Sequence, residues 1–242
     1  MIAILKKEIN DFLNSLIAYV VIGIFLIGIG LLMWVFPDTN VLDYGYASME
    51  PLFSLGPFVF MFLIPAITMK SFAEEKRSGT IELLYTLPFR DIEIVVGKFL
   101  AGFLLALFAV LPTIVYFFSL SHLGNPAGNI DTAGIIGSYI GLILLAGVFT
   151  ALGILSSALT GNQIVSFILA ASLCFVFYAG FDSIASVDTW TDGSYLVKQI
   201  GILAHYESLS KGLIDFSDVV YFFSMIVLAL YVTRVVLSVQ KG

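Results

Sequence analysis

Six apolar runs without charged residues constrain this chain more than any other feature: 16–36, 52–69, 99–120, 135–158, 164–181 and 219–233, the last extending to about 238. Runs of roughly 18 or more apolar residues mark membrane helices, because the bilayer interior hydrates neither charges nor unpaired backbone groups. The shorter runs reach across the ~30 Å hydrocarbon core by extending into their flanks at about 1.5 Å per residue. Composition excludes a soluble domain: 60 % of the residues are hydrophobic and 12 % charged, against about 45–50 % and about 25 % in ordinary globular chains. A β-barrel needs short alternating segments. The expected fold is therefore all-α, a polytopic integral membrane protein with six transmembrane helices forming one domain over 1–242.

Charge sets the expected orientation. Nine basic residues (Lys6, Lys7, Lys70, Lys76, Arg77, Arg90, Lys98, Arg234 and Lys241) fall on one side of the six spans, and only Lys198 and Lys211 on the other. Lys and Arg accumulate in cytoplasmic loops, so both termini are expected in the cytoplasm. Acidic residues, among them Asp38, Asp43, Glu50, Asp131, Glu207, Asp215 and Asp218, gather outside. Net charge is −6, and no nucleic-acid partner is expected. The first span is too long for a signal peptide and no small-residue cleavage pattern follows it, so it is expected to remain. Cys174, the single cysteine, has no partner for an internal disulfide and reads as a small buried hydrophobe.

Outside the spans, Ile2, Leu5, Ile9, Phe12, Leu13 and Leu16 recur at helical spacing opposite Lys6, Lys7, Glu8, Asn10, Asp11 and Asn14. This predicts an interfacial amphipathic helix over 1–15; the alternative is the frayed start of the first span. The outer loop 182–218 contains 200–203 and 209–214, apolar but too short to cross, and suited to re-entrant or interfacial helices. Gly137 and Gly141 have the spacing of a close helix contact, and Pro57, Pro65 and Pro112 can kink their helices.

Catalytic chemistry is missing. No Lys, Arg, Asp, Glu or His lies near the centre of any of the six runs, which disfavours an ion-driven pump. The only Gly-Lys pair, Gly97-Lys98, has Ile92 and Phe99 where a phosphate-binding loop needs Gly and Ser or Thr. His122 and His205 stand apart from any set of metal ligands. No nucleophile–base pair is visible.

The distinctive segment is the inner loop 74–90, which begins EEKRSGTIELLYTLP and ends at Arg90. Gly79 is expected to break the helix continuing from the second span, Thr80 to cap a new one, Glu82 to favour its first turn and Pro88 to end it. Ile81, Leu84, Tyr85 and Leu87 would give this short helix an apolar docking face.

This string, Phe72-Ala73-Glu74-Glu75-Lys76 followed by Ser78-Gly79-Thr80-Ile81-Glu82-Leu83-Leu84 and Thr86-Leu87-Pro88, with Gly97-Lys98 entering the third span, resembles the type-2 ABC exporter permeases. Residues 204–224 are similar to the permeases of the gliding-motility branch, the F subunits of the Gld system. The resemblance implies six spans behind an interfacial helix in a bacterial inner membrane. It implies a cytoplasmic coupling helix made by Glu74, Glu75, Lys76, Gly79, Thr80, Ile81, Glu82, Leu84 and Pro88. It also implies a separate ABC ATPase subunit carrying ATP and Mg, a second permease copy or a related subunit, and an auxiliary G subunit. No cofactor on this chain is expected. Two other readings remain open: a membrane scaffold that holds a cytosolic partner, and a channel, which the sparse polar lining of the spans disfavours.

Overall fold

Helices follow the apolar runs, with ends set by proline, glycine and charge. The computed structural model describes residues 2–43, 47–86, 88–126, 128–186 and 194–241. Among these the regular structure is helical throughout: α1 (Ile2–Leu13), α2 (Leu16–Trp34), α3 (Glu50–Thr68), α4 (Ala73–Ser78), α5 (Ile81–Thr86), α6 (Asp91–Val110), α7 (Ile114–Leu123), α8 (Thr132–Leu159), α9 (Gln163–Phe175), α10 (Phe181–Ala185), α11 (Ser194–Ile200), α12 (Ile202–Ser210) and α13 (Phe216–Lys241).

Among the described residues, five continuous stretches are long and apolar enough to cross a bilayer: Glu50–Ser78, Asp91–Leu123, Thr132–Leu159, Gln163–Ala185 and Phe216–Lys241. The number rises to six where α1 and α2, which meet at a 71° bend, are counted as one span. The predicted all-α membrane fold is thus observed.

Local chemistry explains where the helices depart from the runs. The second span continues past residue 69 through a short turn into α4 and stops at Gly79, which takes φ +72° and donates its N–H to the Lys76 carbonyl; this left-handed value is costly for a side chain bearing Cβ. The third span starts at Asp91, eight residues before the apolar run, because the Glu93 carboxylate accepts the Arg90 N–H at 3.0 Å and supports the first turn. Pro112 interrupts it with a 3₁₀ turn, Leu111–Thr113, before α7. Asp131 caps α8 by accepting the Gly134 N–H at 3.0 Å, and Asn162 caps α9. A π-helical turn, Val176–Gly180, joins α9 to α10.

The outer-loop pieces expected at 200–203 and 209–214 are corrected: the helices are α11 and α12, with boundaries at Gly201 and just before Gly212. The two apolar pieces straddle helix ends. Part of the loop, 187–193, lies outside the described residues.

At the centre stands α8, which packs against α3, α6, α9, α12 and α13. Small residues let neighbours close in. A Cβ on Gly137 would lie 2.7 Å from the Gly212 Cα, and one on Gly141 2.7 Å from the Leu209 Cβ, so the predicted small-residue contact receives the α12 end. Ser138 adds a hydrogen bond to the Ser210 carbonyl at 2.7 Å. Farther along, Gly153 faces Thr68 of α3 so closely that a Cβ would overlap the threonine side chain.

Candidate functional site

The residues singled out in the loop 74–90 converge on one end of the bundle. This end collects the ends of α3, α8 and α13 and the start of α6, and carries most of the basic residues. Here α4 and α5 form a hairpin around Gly79.

A single hydroxyl fastens the start of the hairpin. The Ser157 Oγ, in the last turns of α8, accepts the N–H groups of Phe72 and Ala73 at 2.9 and 3.0 Å and donates to the Met69 carbonyl at 3.1 Å. These are backbone groups that the turn between α3 and α4 leaves without helical partners.

Glu75 points inward. Its Oε1 lies 3.0 Å from the Lys98 Nζ of α6 and 3.0 Å from the Lys7 Nζ of α1, and its side chain is 12 % exposed. Lys98, 1 % exposed, also reaches Glu8 Oε1 at 2.6 Å and the Ser71 carbonyl at 2.5 Å, with its ammonium 4.9 Å from the centre of the Phe72 ring. Lys98 stays at the basic end, as its place in the sequence implied, but as a buried cation, tolerable because two carboxylates and a carbonyl replace its water. Burial pulls the Lys7 pKa down, but the hydrogen bond and charge of Glu75, with Glu8 and Asp11, leave it raised overall.

Lys76, the next residue, turns the other way, donating to the Ala158 carbonyl at the end of α8 and to Gln240 Oε1 of α13 at 2.5 Å. Glu74, Arg77, Ser78, Gly79, Thr80, Glu82, Leu83, Thr86 and Pro88 are exposed. Thr80 does not cap α5 with its side chain; its hydroxyl meets the Ser78 Oγ at 2.8 Å, and its carbonyl accepts the Leu84 N–H at 3.2 Å.

The apolar face of α5 is also corrected. Ile81 and Leu84 are half-buried and pack against the core of the bundle, whereas Leu83 is 66 % exposed. Tyr85 is half-buried under Lys241, whose ammonium stands 5.2 Å from the ring centre; burial, then the charges of Asp91 and Glu75, raise its pKa. Leu87 lies outside the described residues. The predicted site residues thus divide into an inward set, Glu75, Lys76, Ile81 and Leu84, and an outward set, Glu74, Gly79, Thr80, Glu82 and Pro88. The sequence reading missed Glu8, Ser157 and Gln240, whose partners are distant along the chain.

At the opposite, acidic end His205 is not isolated. Its Nδ1 is 2.7 Å from Asp218 Oδ1 and its Nε2 2.9 Å from the Gln199 carbonyl, and its ring stacks on Tyr221 with centroids 3.9 Å apart. Next to α12 is a cavity of about 580 Å³, bordered by Glu50, Phe53, Tyr178, Tyr206 and Glu207. Burial holds the Tyr206 phenol well above its ordinary range.

The described residues thus form a polytopic helical membrane protein with a fastened, partly exposed hairpin at its basic end. The family model of the ABC-2 family transporter proteins matches residues 2–239, and the chain belongs to that family. It is thus a membrane permease component of an ABC transporter, distinct from the nucleotide-binding subunit, and works with an ABC ATPase. No curated protein is a significant match to the chain.

Proposed function

We propose that this chain is the permease of an ATP-driven exporter of the gliding-motility type, lying in a bacterial inner membrane with both termini in the cytoplasm. The observation that carries this reading is the α4–α5 hairpin. It is tied to the bundle through Glu75 and Lys76 and leaves a leucine, Leu83, exposed on a segment whose Glu74, Arg77 and Glu82 are exposed as well. An exposed apolar side chain on a segment of exposed charges has the composition of a protein contact. The chain has no phosphate-binding loop, so its energy enters through such a contact, with ATP and Mg held by the ATPase partner.

Closure of two ATPase subunits would displace two such hairpins and switch the spans between two arrangements. One chain offers one hairpin, so the working unit is a pair of permeases, either two copies or one copy with a related subunit. The gliding assignment rests on the similarity of 204–224, which covers most of α12 and the start of α13, and brings with it the auxiliary G subunit as a third partner.

The test is co-purification of the ATPase subunit with membrane-inserted variants at matched expression. Leu83→Asp is expected to lose the ATPase, and Leu213→Asp, at the acidic end and equally exposed at 66 %, to keep it. Retention by both, or loss by both, overturns the coupling assignment and favours the scaffold or channel readings.

A further inference from the structure

We propose that Glu75 and Lys76 are positioning residues that anchor the hairpin to four helices, and that neither belongs to the surface the ATPase touches. The inference rests on the reading of the hairpin as the coupling contact and divides that contact into an anchor and a face.

The anchor has two sides. Glu75 binds Lys7 of α1 and Lys98 of α6, both at 3.0 Å. Lys76 binds the last turn of α8 through the Ala158 carbonyl and the end of α13 through Gln240. Neighbouring residues on a helix diverge by about 100°, so one short segment grips elements on both of its flanks.

The chemistry of the first side favours a stiff tie over a loose one. Lys98 has three donors, and Glu8, Glu75 and the Ser71 carbonyl supply three acceptors within 3.0 Å. Glu75 Oε1 is shared between two ammonium groups, while its Oε2 is buried without a hydrogen-bond partner among the described residues. Were Glu75 to swing out toward a partner, it would leave Lys98, 1 % exposed, with one carboxylate fewer in a site closed to water. On the second side, an ammonium at the carboxyl end of α8 meets the negative end of the helix dipole. Displacing the hairpin therefore carries α1, α6, α8 and α13 with it.

The experiment uses the whole transporter complex in lipid vesicles, with Cys174→Ala as background and spin labels on cysteines at Leu42 and Leu213, both exposed at the acidic end. Three quantities are read: the amount of ATPase subunit retained, thermal stability, and the nucleotide-driven change in the label distance distribution. Glu75→Gln, Lys98→Met and Lys76→Met are each expected to keep the ATPase subunit and to reduce the nucleotide-driven response about tenfold. The double variant Glu75→Gln/Lys98→Met is expected to lose less than the two single variants' losses combined, because both remove the Glu75–Lys98 pair. Lys98→Arg is expected to restore the response even if Lys98→Met proves too unstable to assay.

Loss of the ATPase subunit on Glu75→Gln or Lys76→Met would make that residue part of the contact face and overturn the proposal. A full response in the single variants, or additive losses in the double variant, would overturn it too. Leu83→Asp separates the two readings. If it keeps the ATPase, the coupling reading fails. If it loses the ATPase while Glu75→Gln responds normally, only the anchor fails.

Discussion

Lys98 illustrates what a single position does when its environment is read in three dimensions. Beside an apolar run a lysine looks like a flanking charge that stays in water. Its partners, Glu8 and Glu75, come from two other elements, and no local pattern connects them. Gly137 is the opposite case, because its spacing to Gly141 announced a close contact but not the partner, Gly212. Backbone meets backbone there, and no side chain can rotate to make room. Gly137→Ala is therefore expected to cost about 1–3 kcal/mol through overpacking. Gly23→Ala, where nothing lies within 4 Å of the new Cβ, is expected to be neutral or to stabilise α2 by up to about 1 kcal/mol. Thermal unfolding of the two purified variants in one detergent checks the difference.

Between elements, the contact of α3 with α12 follows from a missing hydrogen. Pro57 has no N–H to offer the Phe53 carbonyl one turn earlier, and that carbonyl is buried. The Tyr206 hydroxyl donates to it at 2.6 Å. Tyr206→Phe is expected to lower stability by about 1–3 kcal/mol by leaving the carbonyl unpaired. In a Pro57→Ala background, where the helix supplies its own donor, the same change is expected to cost less than half as much. A four-variant thermal-denaturation cycle measures it, and equal costs in the two backgrounds would contradict this account.

The helices themselves were readable in the sequence because each uncharged run is long, and α1 because its period is clean. Less readable was the orientation of α5: Ile81 and Leu84 looked like a face for a partner, yet a core close enough to cover them is assembled from residues far along the chain. The exposed Leu83 could not be told from them by spacing alone. His205 and Asp218 lie 13 residues apart on separate helices, so their pairing had no periodic signature.

For the whole molecule, the testable matter is which end faces the cytoplasm. The hairpin, the end of α13 and the basic residues share one end, and α12 with its acidic surroundings occupies the other. With Cys174 buried and removed, a cysteine at Ser78 is expected to react with a membrane-impermeant maleimide only after permeabilisation. A cysteine at Asp215 is expected to react in intact cells. The reverse pattern would invert the orientation and place the hairpin out of reach of any cytosolic ATPase.

The centrality of α8 also bears on how this chain can change over time. The apolar window of α8 is 78 % buried, against 22 % for the stretch that contains α9. In lipid, where tails are as apolar as leucine, an outward residue can be exchanged for another hydrophobe with little effect, whereas each site on α8 answers to several neighbours at once. Substitutions should therefore accumulate along α9 far faster than along α8, leaving the axle of the bundle nearly fixed while its rim drifts.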